Sequence, residues 1–319
     1  MPIARQTAAA RTHARRLAGI VGSLVIGCAA IGCDRFMDPH QRGEQALAAG
    51  DYAAALAAFS EAIASGDHAA EAYTNRGIAN EALYNFDAAI ADYSQALDLF
   101  GPDAAQRAEV LNNRGVAYLG LRKLDEAVAD FDAAIAARAD YAEAYANRGR
   151  AYNDREEYDK AIADFDKAIE LNDALAQAYG NRALAYESQG DIDSAIPDYT
   201  KAIELSHDAQ AYFNRGMLRY SRGCFNLAYQ DFSEVVDRVD PNEYVWYQAS
   251  SQKQFLENRP KDADTCIGSE RDADMAAGSG AAAPTGGGEG TAAPATGEGT
   301  PDDGTADGAG SGTATSDGG

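Results

Sequence analysis

The residue types that support catalysis are present but are not arranged for it. His13, His40, His68 and His207 are scattered along the chain without metal-ligand spacing. Asp272 and Asp274 lack the remaining ligands and the glycine of a calcium loop. There is no phosphate-cradling glycine loop and no nucleophile elbow. Acidic pairs such as Asp130 and Asp132 read as a solvated helix face. These residues predict no enzyme activity, no metal and no cofactor. The residues with a repeated, purposeful spacing are arginines, aspartates and asparagines.

The segments AYTNRG, VLNNRG, AYANRG, AYGNRA and AYFNRG end at Gly77, Gly115, Gly149, Ala183 and Gly216. In each, the arginine is followed sixteen residues later by an aspartate: Arg76 and Asp92, Arg114 and Asp130, Arg148 and Asp164, Arg182 and Asp198, Arg215 and Asp231. Arg148 is three after Tyr145 and four before Tyr152, on the flank of an apolar helical stripe. Asp164 takes the same flank relative to Ala161 and Ala168. The pairing predicts a salt bridge inside each helical hairpin rather than a ligand contact. A weaker first copy has Arg42 but Ala58 in the aspartate slot. The asparagines Asn75, Asn113, Asn147, Asn181 and Asn214 lie on another face, which Asn147 shares with Glu143, Arg150 and Asp154. Each costs about 0.5 kcal/mol relative to alanine in a helix interior. An amide offers donor and acceptor together, which suits the backbone of an extended peptide. Solvation of an empty groove, or bonding between neighbouring helices, stays open.

The elements that must position these residues follow from the period. Steps of 38, 34, 34 and 33 residues separate the motifs, and a weaker copy around Gly43 makes six units of about 34 residues. Every unit continues with a small residue, an aromatic four later and a small residue three beyond, as in Ala161, Phe165 and Ala168. That is a second amphipathic helix, and Gly50-Asp51, Gly190-Asp191 and Gly223 mark turns between the two helices. This pattern over residues 36 to about 257 resembles the tetratricopeptide repeat family. The resemblance implies an all-α, right-handed superhelical solenoid of six hairpins. Residues 242–258, with Trp246 in the aromatic slot, would form a C-terminal capping helix.

In this family the asparagine face lines a concave groove, and the asparagine slot binds peptide main chain in certain members. Ile78, Val116, Leu119, Leu184, Phe213, Met217 and Tyr220 are expected on that side, with Glu71, Glu81, Glu109 and Glu143 nearby and Arg150 the one clear cation. Members that clamp a terminal carboxylate need several cations here, so an apolar or mildly basic extended segment, or a partner helix, is the expected ligand. The capping helix should end near the turn that holds Cys224, within reach of Cys266. A disulfide and two free thiols are both open.

The N-terminus has four arginines and no acid through Arg16, then the apolar run LAGIVGSLVIG, too short to span a bilayer and typical of a secretory signal. VIGC ending at Cys28 and AIGC ending at Cys33 both resemble the bacterial lipobox, so residues 1–33 read as a lipoprotein signal with one of the two cysteines lipidated. Residues 259–319, without an aromatic and rich in Gly, Ala, Thr and Asp, are expected to form a disordered tail. Net charge −23 leaves no basic stripe for nucleic acid. The expectation is a non-catalytic adaptor, lipid-anchored on the periplasmic side of a bacterial envelope and binding another envelope protein. The alternative is a structural subunit of an envelope assembly or a self-associating scaffold, with homo-oligomers open.

Overall fold

The computed structural model describes residues 37–66, 68–101, 104–259 and 266, the side chains of 104 and 105 excepted. The chain divides into residues 1–278 and 279–319, and every described residue belongs to the first unit. The expected signal segment, Cys28, Cys33 and the tail beyond Arg259, apart from Cys266, lie outside the described residues.

Thirteen helices and no strand occur among the described residues. Six hairpins follow one another: α1 (Pro39–Ala49) with α2 (Tyr52–Ser65), α3 (Ala69–Ala82) with α4 (Phe86–Leu99), and α5 (Ala104–Gly120) with α6 (Leu124–Ala137). They continue as α7 (Ala142–Asp154) with α8 (Tyr158–Leu171), α9 (Ala176–Gln189) with α10 (Ile192–Ser206), and α11 (Ala209–Ser221) with α12 (Phe225–Arg238). A lone α13 (Tyr244–Glu257) closes the array against α11 and α12. No described helix is long and apolar enough to cross a membrane.

Close approach within each hairpin depends on the glycine of the repeated motif. A Cβ added to Gly43, Gly77, Gly115, Gly149 or Gly216 would lie 2.5–2.8 Å from a ring carbon of Phe59, Tyr93, Phe131, Phe165 or Phe232 respectively. These rings are completely buried, flanked by alanines of the second helix, with Val235 in place of one alanine beside Phe232. The six turns within hairpins share a second constraint. Gly50, Tyr84, Arg122, Glu156, Gly190 and Gly223 occupy the same register position, and all have φ between 60° and 81°. Glycine adopts this left-handed conformation without penalty; Tyr84, Arg122 and Glu156 do not.

Each second helix packs on the first helix of the next unit, so a hairpin gains its stability from its neighbours. First helices also touch one another, α1 on α3, α3 on α5, α5 on α7, α7 on α9 and α11 on α13. Their free face is thereby the inner wall of the stack. At the C-terminal end Cys224, fully buried at the start of α12, is disulfide-bonded to Cys266, with the Cα atoms 4.1 Å apart. Trp246 Nε1 donates to the Val236 carbonyl at 3.0 Å, fixing α13 on α12.

Candidate functional site

The arginine of each repeat is a structural staple with two arms. Arg148 donates from Nε and Nη2 to the two carboxylate oxygens of Asp164, at 2.8 and 2.7 Å, within its own hairpin. Its Nη1 reaches Asp132 on the second helix of the preceding unit. Arg182 repeats this with Asp198 and Asp166. Arg76, Arg114 and Arg215 hold Asp92, Asp130 and Asp231, and turn Nη1 to the hydroxyls of Ser60, Ser94 and Thr200. All five aspartates are buried. The sequence reading predicted the arm inside the hairpin and missed the arm between hairpins. Its signal was legible, because an oxygen-bearing residue follows the buried aromatic in every unit: Ser60, Ser94, Asp132, Asp166, Thr200 and Ser233. In the first unit Arg42 pairs with Glu61 instead, at 2.7 Å.

The asparagine row divides into two groups. Asn147 Nδ2 donates to Asn112 Oδ1 on α5 at 2.9 Å, and Asn214 Nδ2 donates to the Tyr199 hydroxyl at 3.1 Å while accepting from Gln210. Those two amides tie helices together. The side chains of Asn75, Asn113 and Asn181 make no hydrogen bond within the described residues.

The apolar residues also separate. Ile78, Val116, Leu184 and Met217 are partly exposed on the first-helix wall, and Ile78, Val116 and Met217 also pack against the core. Leu119 is not on that wall but inside the core with Ala127, Phe131 and Ala151, because its register position meets the aromatic of its own hairpin. Phe213 stacks on Phe232, and Tyr220 packs against Phe225 and Phe255 under the capping helix, so both are partly committed to the array.

The wall is less acidic than its sequence. Glu109 is paired with Arg138 at 3.1 Å. Glu81 is buried and accepts from the Tyr93 hydroxyl at 3.0 Å. Burial pushes its carboxyl up to about 7, against the opposing pull of the Tyr93 hydrogen bond and of Arg150. Glu187 accepts from the Tyr199 hydroxyl at 2.7 Å. The two units whose buried aromatic is tyrosine therefore place glutamate twelve residues before it, where Phe131 and Phe165 are preceded by Leu119 and Asn153. No group of metal ligands occurs among the described residues.

Family models of the tetratricopeptide repeat match residues 40–106, 108–141, 142–173 and 176–208, together more than half of the chain. The chain belongs to the tetratricopeptide repeat family. No curated protein matches it. Among solved structures, a tetratricopeptide repeat protein from Parabacteroides merdae is 19% identical with a TM-score of 0.53, over 74% of this chain and 95% of that one. The APC/C Cut9–Hcn1 hetero-tetramer contains a chain 19% identical with a TM-score of 0.58, over 67% of this chain and 41% of that one. The Thermus thermophilus tetratricopeptide repeat protein TTC0263 is 18% identical with a TM-score of 0.50, over 57% of this chain and 98% of that one. These likenesses establish the tetratricopeptide fold. An array of this family is a scaffold for contacts between proteins, and none of the matching family models is catalytic.

Proposed function

We propose that this tetratricopeptide repeat protein is a non-catalytic adaptor, held by a lipid on the periplasmic side of a bacterial membrane, whose first-helix wall binds an extended segment of another envelope protein. One observation carries the binding reading. The amides of Asn75 and Asn181, partly exposed, and of Asn113, 6% exposed, make no hydrogen bond within the described residues and recur three positions before Ile78, Leu184 and Val116, so polar and apolar side chains alternate along the same helix face. A peptide main chain uses both. The lipid anchor is supported by the two lipobox-like segments before Cys28 and Cys33. An oxidising compartment is supported by the Cys224–Cys266 disulfide, a bond rare in cytoplasmic proteins.

The test is a crosslinking pull-down from bacterial envelope with the full chain and with an Asn75→Ala, Asn113→Ala, Asn181→Ala variant of unchanged helicity. Prey lost only from the variant supports the groove, and an identical prey list for both overturns it. The second reading, a structural subunit or self-associating scaffold, draws on Tyr244, Tyr247 and Phe255, exposed together on α13. It requires the purified chain to oligomerise and a Tyr244→Ser, Tyr247→Ser, Phe255→Ser variant to be monomeric by light scattering.

A further inference from the structure

We infer that Arg150 is the anion subsite of this wall, seating one carboxylate of an otherwise apolar extended segment from a protein partner; the inference rests on the groove reading above. Arg150 stands apart from the other arginines of the described residues. The five repeat arginines grip aspartates, and Arg42, Arg122, Arg138, Arg155, Arg219, Arg222 and Arg238 each form an ion pair. Arg107 donates to the Leu97 and Gly101 carbonyls, and Arg259 covers the Phe225 ring. Among the described residues Arg150 alone of the arginines has no ion pair, hydrogen bond or ring contact.

Its acidic neighbours are engaged elsewhere. Asp154 Oδ2 accepts from Arg122 Nη1 at 2.8 Å, and Glu81 accepts from the Tyr93 hydroxyl. Burial lowers the Arg150 guanidinium below the usual arginine value despite the fields of Asp154 and Glu81. A partly desolvated cation without a direct ion pair costs free energy that a bound anion would return in part.

A second unpaired donor lies close by. Asn112 is 1% exposed; its Oδ1 accepts from Asn147, yet its own Nδ2 has no hydrogen-bond partner. Asn147 precedes Arg150 by three residues on α7, a rise of about 4.5 Å along the same face.

The register gives the shape of the ligand. Arg150 occupies the position that Ile78, Val116, Leu184 and Met217 take in the other units. Packed helices stand about 8–10 Å apart, and a chain in the extended polyproline II form covers that distance in one turn of three residues, which brings side chains back to the same face. The matching segment, in the polyproline II form, therefore has an Asp or Glu with apolar residues three positions before and after it on the same face, opposite Val116 and Leu184.

The test is selection of displayed random twelve-residue peptides on the full chain, on Arg150→Ala and on Arg150→Glu, all checked for equal helicity. The wild-type pool should be enriched in one acid flanked by apolar residues at that spacing. The Arg150→Ala pool should keep the apolar residues and lose the acid, and the Arg150→Glu pool should replace the acid with Lys or Arg. Changing the acid to its amide in a selected peptide should weaken binding about 10- to 100-fold on wild type and little on Arg150→Ala. An apolar pool without acid preference, or one whose acid survives Arg150→Ala, overturns the subsite and leaves the groove standing; an empty pool sinks both. Peptides recovered only after truncation beyond Cys266 would assign the site to the protein's own acidic tail, and a dimer that Arg150→Glu dissociates would assign it to a second copy. Either result overturns the partner reading.

Discussion

Replacing Arg148 with alanine isolates the energetic role of the repeat arginine. The change removes two charge-assisted hydrogen bonds from Asp164, whose side chain is only 9% exposed, and one contact to the exposed Asp132. Breaking a buried pair by deleting one partner costs about 3–5 kcal/mol, whereas an exposed contact is worth less than about 1 kcal/mol. Asp164 retains some solvent contact, so the expected cost at pH 7.5 is about 3–4 kcal/mol. The Arg42–Glu61 pair, with side chains 35% and 60% exposed, sets the lower comparison; Arg42→Ala should cost under about 1 kcal/mol.

The pH dependence supplies a sharper signature. Burial already holds the Asp164 carboxyl above its ordinary value, with the Arg148 hydrogen bond and charge pulling it down. Without Arg148 only the upward influences remain, so the folded-state value rises further. An acid with a raised folded-state value contributes stability that is present below its unfolded value, about 4, and lost as the pH rises. The deficit of Arg148→Ala relative to wild type should therefore shrink between pH 7.5 and pH 4.5. Urea unfolding followed by circular dichroism measures it, with Asp164→Ala and the double variant completing the cycle. The curves are fitted with nearest-neighbour coupling, since a stack of hairpins need not unfold in one step. A cost under about 1 kcal/mol at pH 7.5, or one unchanged by acid, would refute the reasoning.

Other expectations follow from particular residues. Glu156 is exposed at φ 62°, so Glu156→Gly should raise stability by about 1 kcal/mol in urea titrations, and no gain would contradict the strain assigned there. Glu81, raised to about 7 by burial, destabilises the fold as the pH climbs from about 4.5 to 7; the stability of Glu81→Gln relative to wild type should rise by about 3 kcal/mol over that interval. Cys224→Ser should loosen α13 by about 2–4 kcal/mol, read as faster amide exchange in 244–257 than in α5. Labelled fatty acid should be incorporated by wild type and lost when Cys28 and Cys33 are both replaced by serine; retention of label would exclude lipidation at these cysteines.

The repeat period made the hairpins legible in the sequence, because glycine, aromatic and alanine recur at separations that only helices bring together. It also placed each arginine opposite its aspartate. The second arm escaped attention because Ser60, Asp132 and Thr200 differ in chemical type and share only an accepting oxygen. The left-handed turn position was visible at Gly50, Gly190 and Gly223 and hidden at Tyr84, Arg122 and Glu156, where tertiary packing overrides the local preference. Face assignment by helical period put Leu119 on the wall, since a period of 3.6 does not separate a groove position from the adjoining core flank. The division of the asparagines depended on contacts between units, Asn112 with Asn147 and Tyr199 with Asn214, while the matching Tyr93 makes no hydrogen bond to Asn113, and no single repeat contains that information.

The most direct test of the adaptor reading is site-specific photocrosslinking in living cells, with a photoreactive amino acid at Leu184 or Met217 on the inner wall and at the exposed Glu170 on α8. The account predicts discrete covalent adducts from Leu184 and Met217, absent from Glu170 and abolished when Asn75, Asn113 and Asn181 are alanine. Adducts from Glu170 alone, or adducts at the wall that persist in the asparagine variant, would contradict it.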